Sequence, residues 1–140
     1  MGKEKEGGVI LEDSEEKLSD KKYFFDTSAI IEIIEGNKEF FIYSNAMINI
    51  TIFNLAEIYW IALDKLGEEK AEEVYGNYKS AVMAVSDEII KEAMKFRKEY
   101  KNKGFSYADA IGYICAKENN LKFLTSDSQF KDLDNVEFVK

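Results

Sequence analysis

The chain has 140 residues and a mass of 16.1 kDa, with 46% hydrophobic and 14% aromatic residues, enough to bury one core and too little for a second domain. Histidine is absent and cysteine occurs once, at Cys115, which excludes an internal disulfide, a cysteine-rich zinc site and the usual histidine general base. The formal net charge of -8 argues against a broad basic face for nucleic acid, so any chemistry rests on carboxylates, hydroxyls, lysines or a metal ion.

Residues 1–22 are dominated by Glu, Lys, Asp and Gly, with Val9, Ile10, Leu11 and Leu18 as the sizeable apolar side chains after Met1, and read as a charged, solvated N-terminal extension. Met1-Gly2 does not open a myristoylation motif, because Glu6 stands where Ser or Thr is required. There is no charged-then-apolar leader, and no apolar run approaches the roughly 20 residues that span a bilayer. A cytoplasmic location without membrane attachment is expected.

Tyr23-Phe24-Phe25 is apolar without alternation, which predicts a short strand covered on both faces, and it runs into Asp26-Thr27-Ser28. Ile30, Ile33 and Ile34 then recur at helical spacing as far as Gly36-Asn37. Asp26 thus falls at the carboxyl end of a strand, where open parallel sheets bind ligands, and also where Asp or Ser caps a helix. Phe40, Phe41 and Tyr43 mark a brief helical or irregular piece, core by default but dense enough to form a contact surface. Met47 to Thr51 reads as a strand, and Asn54 opens a helix with Leu55, Ile58, Tyr59, Ala62, Leu63 and Leu66 inward and Gly67 at its end. Glu57, three residues after Asn54, has the spacing of a capping box.

A helix over residues 68–80 presents Ala71, Val74, Tyr75 and Tyr78, and residues 81–85 read as the next buried strand. Asp87 to Lys103 is a long helix with its acids first and its bases last, as the helix dipole favours, and Ile89, Ala93, Phe96 and Tyr100 as its core stripe. Lys95, Arg97, Lys98, Lys101 and Lys103 form the densest basic cluster, either a solvated helix end or a phosphate-contacting face. After Gly104, Ser106 opens a helix with Tyr107, Ala110, Ile111, Ile114 and Cys115 inward, making Cys115 an inert buried thiol and placing Asp109 at capping-box spacing. Leu121 to Leu124 is an apolar strand leading into Thr125-Ser126-Asp127, the same strand-then-hydroxyl-and-acid order found at Asp26, and Val136 to Val139 is the last strand. Alternating strands and helices predict an α/β chain whose central parallel sheet carries helices on both faces.

Asp26, Glu57, Asp109 and Asp127 each follow a strand or open a helix at the carboxyl edge of that sheet. A cap explains any one of them, but not all four on one rim. Clustered carboxylates repel one another unless a cation sits among them, and oxygen-only ligands select magnesium or manganese. Magnesium keeps several waters and takes one or two direct carboxylates, leaving the other acids for a second ion or for orienting water. Such sites cleave phosphodiesters with an activated water, which removes the need for histidine.

The runs Phe25-Asp26-Thr27-Ser28, Asn54-Leu55-Ala56-Glu57, Ser106-Tyr107-Ala108-Asp109-Ala110 and Leu124-Thr125-Ser126-Asp127 with Phe130 resemble the four signatures of PIN-domain ribonucleases, particularly the toxin-type members called VapC. The resemblance covers residue 22 to the end. It implies a compact three-layer α/β/α sandwich over residues 23–140 and magnesium-dependent cleavage of single-stranded RNA. Asp26 and Asp109 correspond to the family's main metal ligands, Glu57 to the acid that completes the site, and Asp127 to the fourth acid. Ser28 and Thr125 correspond to hydroxyls that bond water or the carboxylates. The resemblance also implies a homodimer and an antitoxin, whose basic side chain could pair with Asp26, Glu57 or Asp109 while Phe40, Phe41 and Tyr43 receive its helix. The acidic extension departs from toxin-type members, which begin almost at their first strand. A housekeeping RNA-processing nuclease and a catalytically silent binding module are the alternatives. A phosphotransferase with a strand-end aspartate would want a second Asp where this chain has Ser28.

Overall fold

The computed structural model describes residues 22–140. The charged extension therefore lies outside the described residues, save for Lys22, which begins the first strand. The elements are β1 (Lys22–Phe25), α1 (Thr27–Ile34), β2 (Met47–Asn49), α2 (Ile52–Leu66), α3 (Glu68–Lys79), α4 (Asp87–Glu99), α5 (Tyr107–Glu118), β3 (Lys122–Thr125) and β4 (Val136–Phe138). Three-ten turns span Lys38–Asn45, Lys101–Lys103 and Ser128–Phe130.

The strands form one parallel sheet in the order β2-β1-β3-β4. β1 and β3 are its centre, which is why both are apolar in successive residues: side chains alternate between two buried faces. Phe24 and Phe123 point to one side, stacked with ring centroids 5.7 Å apart, in a core closed by α4 and α5. Tyr23, Phe25 and Leu124 point to the other side, in a core with residues of α1, α2 and the Lys38–Asn45 turn. The chain is thus a three-layer α/β/α sandwich, as its alternating pattern predicts. Gly112 lets α5 press against the sheet, since a Cβ there would sit 2.9 Å from Phe24 Cε1. Among the described residues no helix is long and apolar enough to cross a membrane.

Several sequence expectations need correction. Residues 81–85 form no strand and make a single parallel bridge between Ile50 and Val82. The N–H groups of Ala81 and Val82 are already spent on Tyr78 and Lys79 carbonyls in the turn that ends α3, so no ladder develops. The long helix from Asp87 stops at Glu99, because Tyr100 (φ -107, ψ 33) leaves helical geometry before the Lys101–Lys103 turn. Asn54 does not open α2: Thr51 is the N-cap, and Asn54 is the third helical residue and its capping-box partner. Phe40 and Tyr43 are core, leaving Phe41 with Ile42 as the exposed apolar part of that segment. Leu63 and Leu66 are exposed on α2, and Tyr107 is 60% exposed while Tyr113 takes the buried place on α5.

Candidate active site

Asp26 occupies the N-cap position of α1, yet its side chain makes no capping hydrogen bond. The carboxylate turns toward β3, 3% exposed. Its Oδ2 accepts from Thr125 Oγ1 at 2.8 Å and Ser28 Oγ at 2.9 Å. Each hydroxyl in turn accepts a backbone N–H, Thr125 from Asp127 at 2.9 Å and Ser28 from Ser126 at 3.1 Å. A hydroxyl has one proton to give. Both protons are committed to Asp26, and the 3.1 Å approach of the two oxygens to each other is proximity rather than a further bond.

A second arm holds Glu57. Thr27 Oγ1 donates to Glu57 Oε1 at 2.6 Å and accepts from Asn54 Nδ2 at 3.0 Å. Asn54 Oδ1 accepts the Thr51 N–H at 2.9 Å and the Thr51 hydroxyl at 2.7 Å. Thr51 and Asn54 are buried, so the capping box that starts α2 also anchors a relay ending on Glu57. The expected pairing of Asn54 with Glu57 as a cap is replaced by this relay. Thr27, Asn54 and Thr51 were not singled out as site residues from sequence. The adjacent hydroxyls of Thr27-Ser28 and the Thr51-x-x-Asn54 spacing were the available signals.

The other two acids do serve as caps with one oxygen each. Asp109 Oδ2 accepts the Ser106 N–H at 2.9 Å while Ser106 Oγ accepts the Asp109 N–H at 3.0 Å, and Asp127 Oδ1 accepts the Gln129 N–H at 2.9 Å. Burial first, and then the Asp109 charge, pushes Asp26 up to about 7, with Asp127 acting in the same sense and the Thr125 and Ser28 bonds opposing. Burial also raises Glu57, helped by Asp109 and opposed by Thr27, and raises Asp109, helped by Asp127 and opposed by its Ser106 bonds. Asp109 is thus the acid whose charge reaches both Asp26 and Glu57, and Asp127 acts on Asp26 and Asp109. Among the described residues none of them joins an ion pair. No three acids among those residues converge closely enough to enclose an ion by themselves.

Around this group, Arg97 donates through Nε to Phe105 O at 2.7 Å and lies over the Tyr107 ring, 4.3 Å from its centroid. That ties one member of the basic cluster to the loop that leads into Asp109. Lys95 pairs instead with Glu92 at 3.2 Å. Beside Glu57, an open cavity of about 400 Å3 is lined by Thr27, Glu57, Trp60 and Ile61.

Residues 23–136 match the PIN domain family. A VapC ribonuclease of Archaeoglobus fulgidus is 27% identical over 114 residues, which cover 81% of this chain and 70% of that protein. The crystal structure of Mycobacterium tuberculosis VapC20, a sarcin-ricin-loop-cleaving toxin, superposes with a TM-score of 0.67 at 15% identity, covering 84% of this chain and 96% of that one. A toxin-antitoxin complex from Klebsiella pneumoniae gives a TM-score of 0.65 at 21% identity, covering 82% and 95%. The two solved structures are likenesses of fold.

Proposed function

Because the chain belongs to the PIN-domain family, we propose that it is a metal-dependent endoribonuclease acting on single-stranded RNA, the toxin of a toxin-antitoxin pair. The observation that carries this reading is Asp26: a buried carboxylate beside Asp109 and Asp127, with no cation paired to any of them among the described residues. An uncompensated buried acid is costly, and a divalent ion is the simplest partner for it. The donor set fits magnesium or manganese, which take oxygen ligands and complete their shell with water, so three converging carboxylates are not required. Asp26 and Asp109 would hold the ion, with Glu57 and Asp127 at the outer positions. The chemistry such an ion supplies is acidification of a water and relief of the charge that develops on phosphate.

The chain's own residues do the positioning. Thr125 and Ser28 both bond Oδ2 of Asp26 and so hold its carboxylate against β3, while Oδ1 accepts no side-chain hydrogen bond among the described residues. Thr27 fixes Oε1 of Glu57, leaving Oε2 to accept a proton from the attacking water. The raised pKa of Glu57 moves it toward the range in which a general base works well near neutrality. Capping bonds hold Asp109 and Asp127 by one oxygen each, and the second oxygen of each accepts no hydrogen bond from the described residues.

The toxin setting rests on the VapC relative and on the toxin-antitoxin complex. In this setting a basic side chain of the antitoxin pairs with Asp26, Glu57 or Asp109, exposed Phe41 and Ile42 receive apolar side chains, and the protein alone is a homodimer. Purified protein is expected to cleave single-stranded RNA with magnesium, and to lose that activity in EDTA or on Asp26→Asn. Cleavage by Asp26→Asn at the wild-type rate would remove the reading. Co-expression with the neighbouring open reading frame should give a co-eluting, inhibited complex, and free activity without co-elution would point to a housekeeping nuclease.

A further inference from the structure

Trp60 is the chain's one tryptophan and, at 69% exposure, stands further into solvent than any other large apolar side chain among the described residues. A ring that size left in water gives up much of the stabilisation that burial brings. Its place makes the exposure informative. Trp60 lies one helical turn after Glu57, at the i,i+3 spacing that puts two side chains on one face of α2. The two share the cavity of about 400 Å3 whose remaining walls are Thr27 and Ile61. The depression thus joins a bare aromatic wall to the Glu57 carboxylate of the acid site and is open to solvent on its outer side. Tyr107, the next most exposed aromatic, already has the Arg97 guanidinium over its ring, whereas among the described residues no ring or cation stacks on Trp60.

We propose that Trp60 is a base-stacking platform: a nucleobase near the scissile phosphate lies against the indole, in the cavity that Glu57 and Thr27 border, and so helps to retain the strand on the face that carries the acids. The inference rests on the nuclease reading and deepens it. The occupant is a base rather than an aliphatic side chain because the wall is a flat aromatic face with nothing stacked on it, set one helical turn from Glu57 of the acid site, and every base carries a π-face to lay on such a wall. It also explains how a chain of net charge -8 retains RNA, since stacking adds affinity without phosphate neutralisation. Trp60 is a substrate-binding residue that touches a base and not the reacting atoms, so its contribution is uniform binding, felt in KM and not in kcat.

The single tryptophan makes the test direct. Asp26→Asn protein, used to suppress turnover, is titrated with a short oligouridylate, an oligoadenylate and an abasic ribose-phosphate strand of the same length, and indole fluorescence is recorded. Both base-bearing strands should quench the emission and the abasic strand should not. In the otherwise wild-type enzyme, Trp60→Leu should raise KM roughly ten- to hundredfold with kcat nearly unchanged, the range expected for one lost base stack, and Trp60→Phe should recover most of it. Equal binding and quenching by the abasic strand would overturn the proposal. So would an unaltered KM in Trp60→Leu, which would assign this face to a protein partner and leave the nuclease reading intact. Quenching by base-bearing strands from a protein that cleaves no RNA with any divalent ion would instead support the platform and overturn the nuclease.

Discussion

Replacing Asp26 by Asn should make the metal-free protein more stable, against the usual expectation for changing a buried polar residue. Burial and the Asp109 charge raise the Asp26 pKa from 3.8 to about 7. A group raised in the folded state contributes stability that is complete below its unfolded pKa and is lost as pH climbs through its folded pKa. For Asp26 that window runs from about pH 4 to pH 7. At about 1.36 kcal/mol for each tenfold change in proton affinity, the rise from 3.8 to about 7 sets an upper bound of about 4 kcal/mol on the loss. Asn removes the charge but keeps an oxygen to accept from Thr125 and Ser28, so the bond network survives. The expected gain in EDTA at pH 8 is about 1–3 kcal/mol, several degrees in Tm for a domain of this size. The gain should fade toward pH 4, and the wild-type slope between pH 4 and 7 should flatten. Thermal melts followed by circular dichroism at pH 4, 6 and 8 measure all three. Magnesium should raise the wild-type Tm more than that of the variant, because ligand that binds only the folded state stabilises it. An Asn variant that melts lower than wild type at pH 8, with the slope intact, would show that the charged Asp26 carboxylate stabilises the fold through its Thr125 and Ser28 bonds and would refute the argument from uncompensated charge.

Three further outcomes are expected. Activity removed by EDTA should return with magnesium or manganese and not with zinc, since the acids have no histidine or cysteine beside them, and calcium should bind without turnover; full cleavage in excess EDTA would end the metal mechanism. Thr27→Val should free Glu57 and orphan the Asn54 amide, costing about 1–3 kcal/mol in a denaturant melt and lowering cleavage, while Thr27→Ser restores both; a Val variant of wild-type stability would show that the relay carries no weight. Gly112→Ala should cost about 1–3 kcal/mol through the 2.9 Å clash with Phe24, and an unchanged melting curve would show that α5 can retreat from the sheet freely.

What the sequence disclosed follows how local each signal is. β1 and β3 were legible because both are continuous apolar runs ending in acid-and-hydroxyl motifs, and a central strand of a parallel sheet has that form. The same motifs named Asp26, Ser28 and Thr125, which the fold joins by hydrogen bonds. Thr27 is not legible as a site residue because sequence alone does not say which of two neighbouring hydroxyls turns toward β3 and which toward α2. Asn54 looked like a helix start because the residues before it, Ile52 and Phe53, are apolar and strand-like, yet both are exposed on the first turn of α2. Residues 81–85 have a strand's composition, but whether their N–H groups are free depends on how α3 ends. On α5 the periodic stripe misplaced Tyr107 and missed Tyr113 because the helix is buried nearly all round, and periodicity loses its meaning when a helix has little solvent side.

The bond from Thr125 to Asp26 spans 99 positions of the chain. Ninety-seven separate Ser28 from the same hydroxyl. During translation the first half of the acid group leaves the ribosome long before the second exists, and β1 has no β3 to pair with until Lys122–Thr125 has been made. A chain stalled or truncated before Thr125 carries Asp26 without the hydroxyl that orients it and without Asp127 altogether. The order of the sheet thus acts as a delay: however early Asp26 emerges, the acid group cannot close until β3 and the Asp127 that follows it have been made.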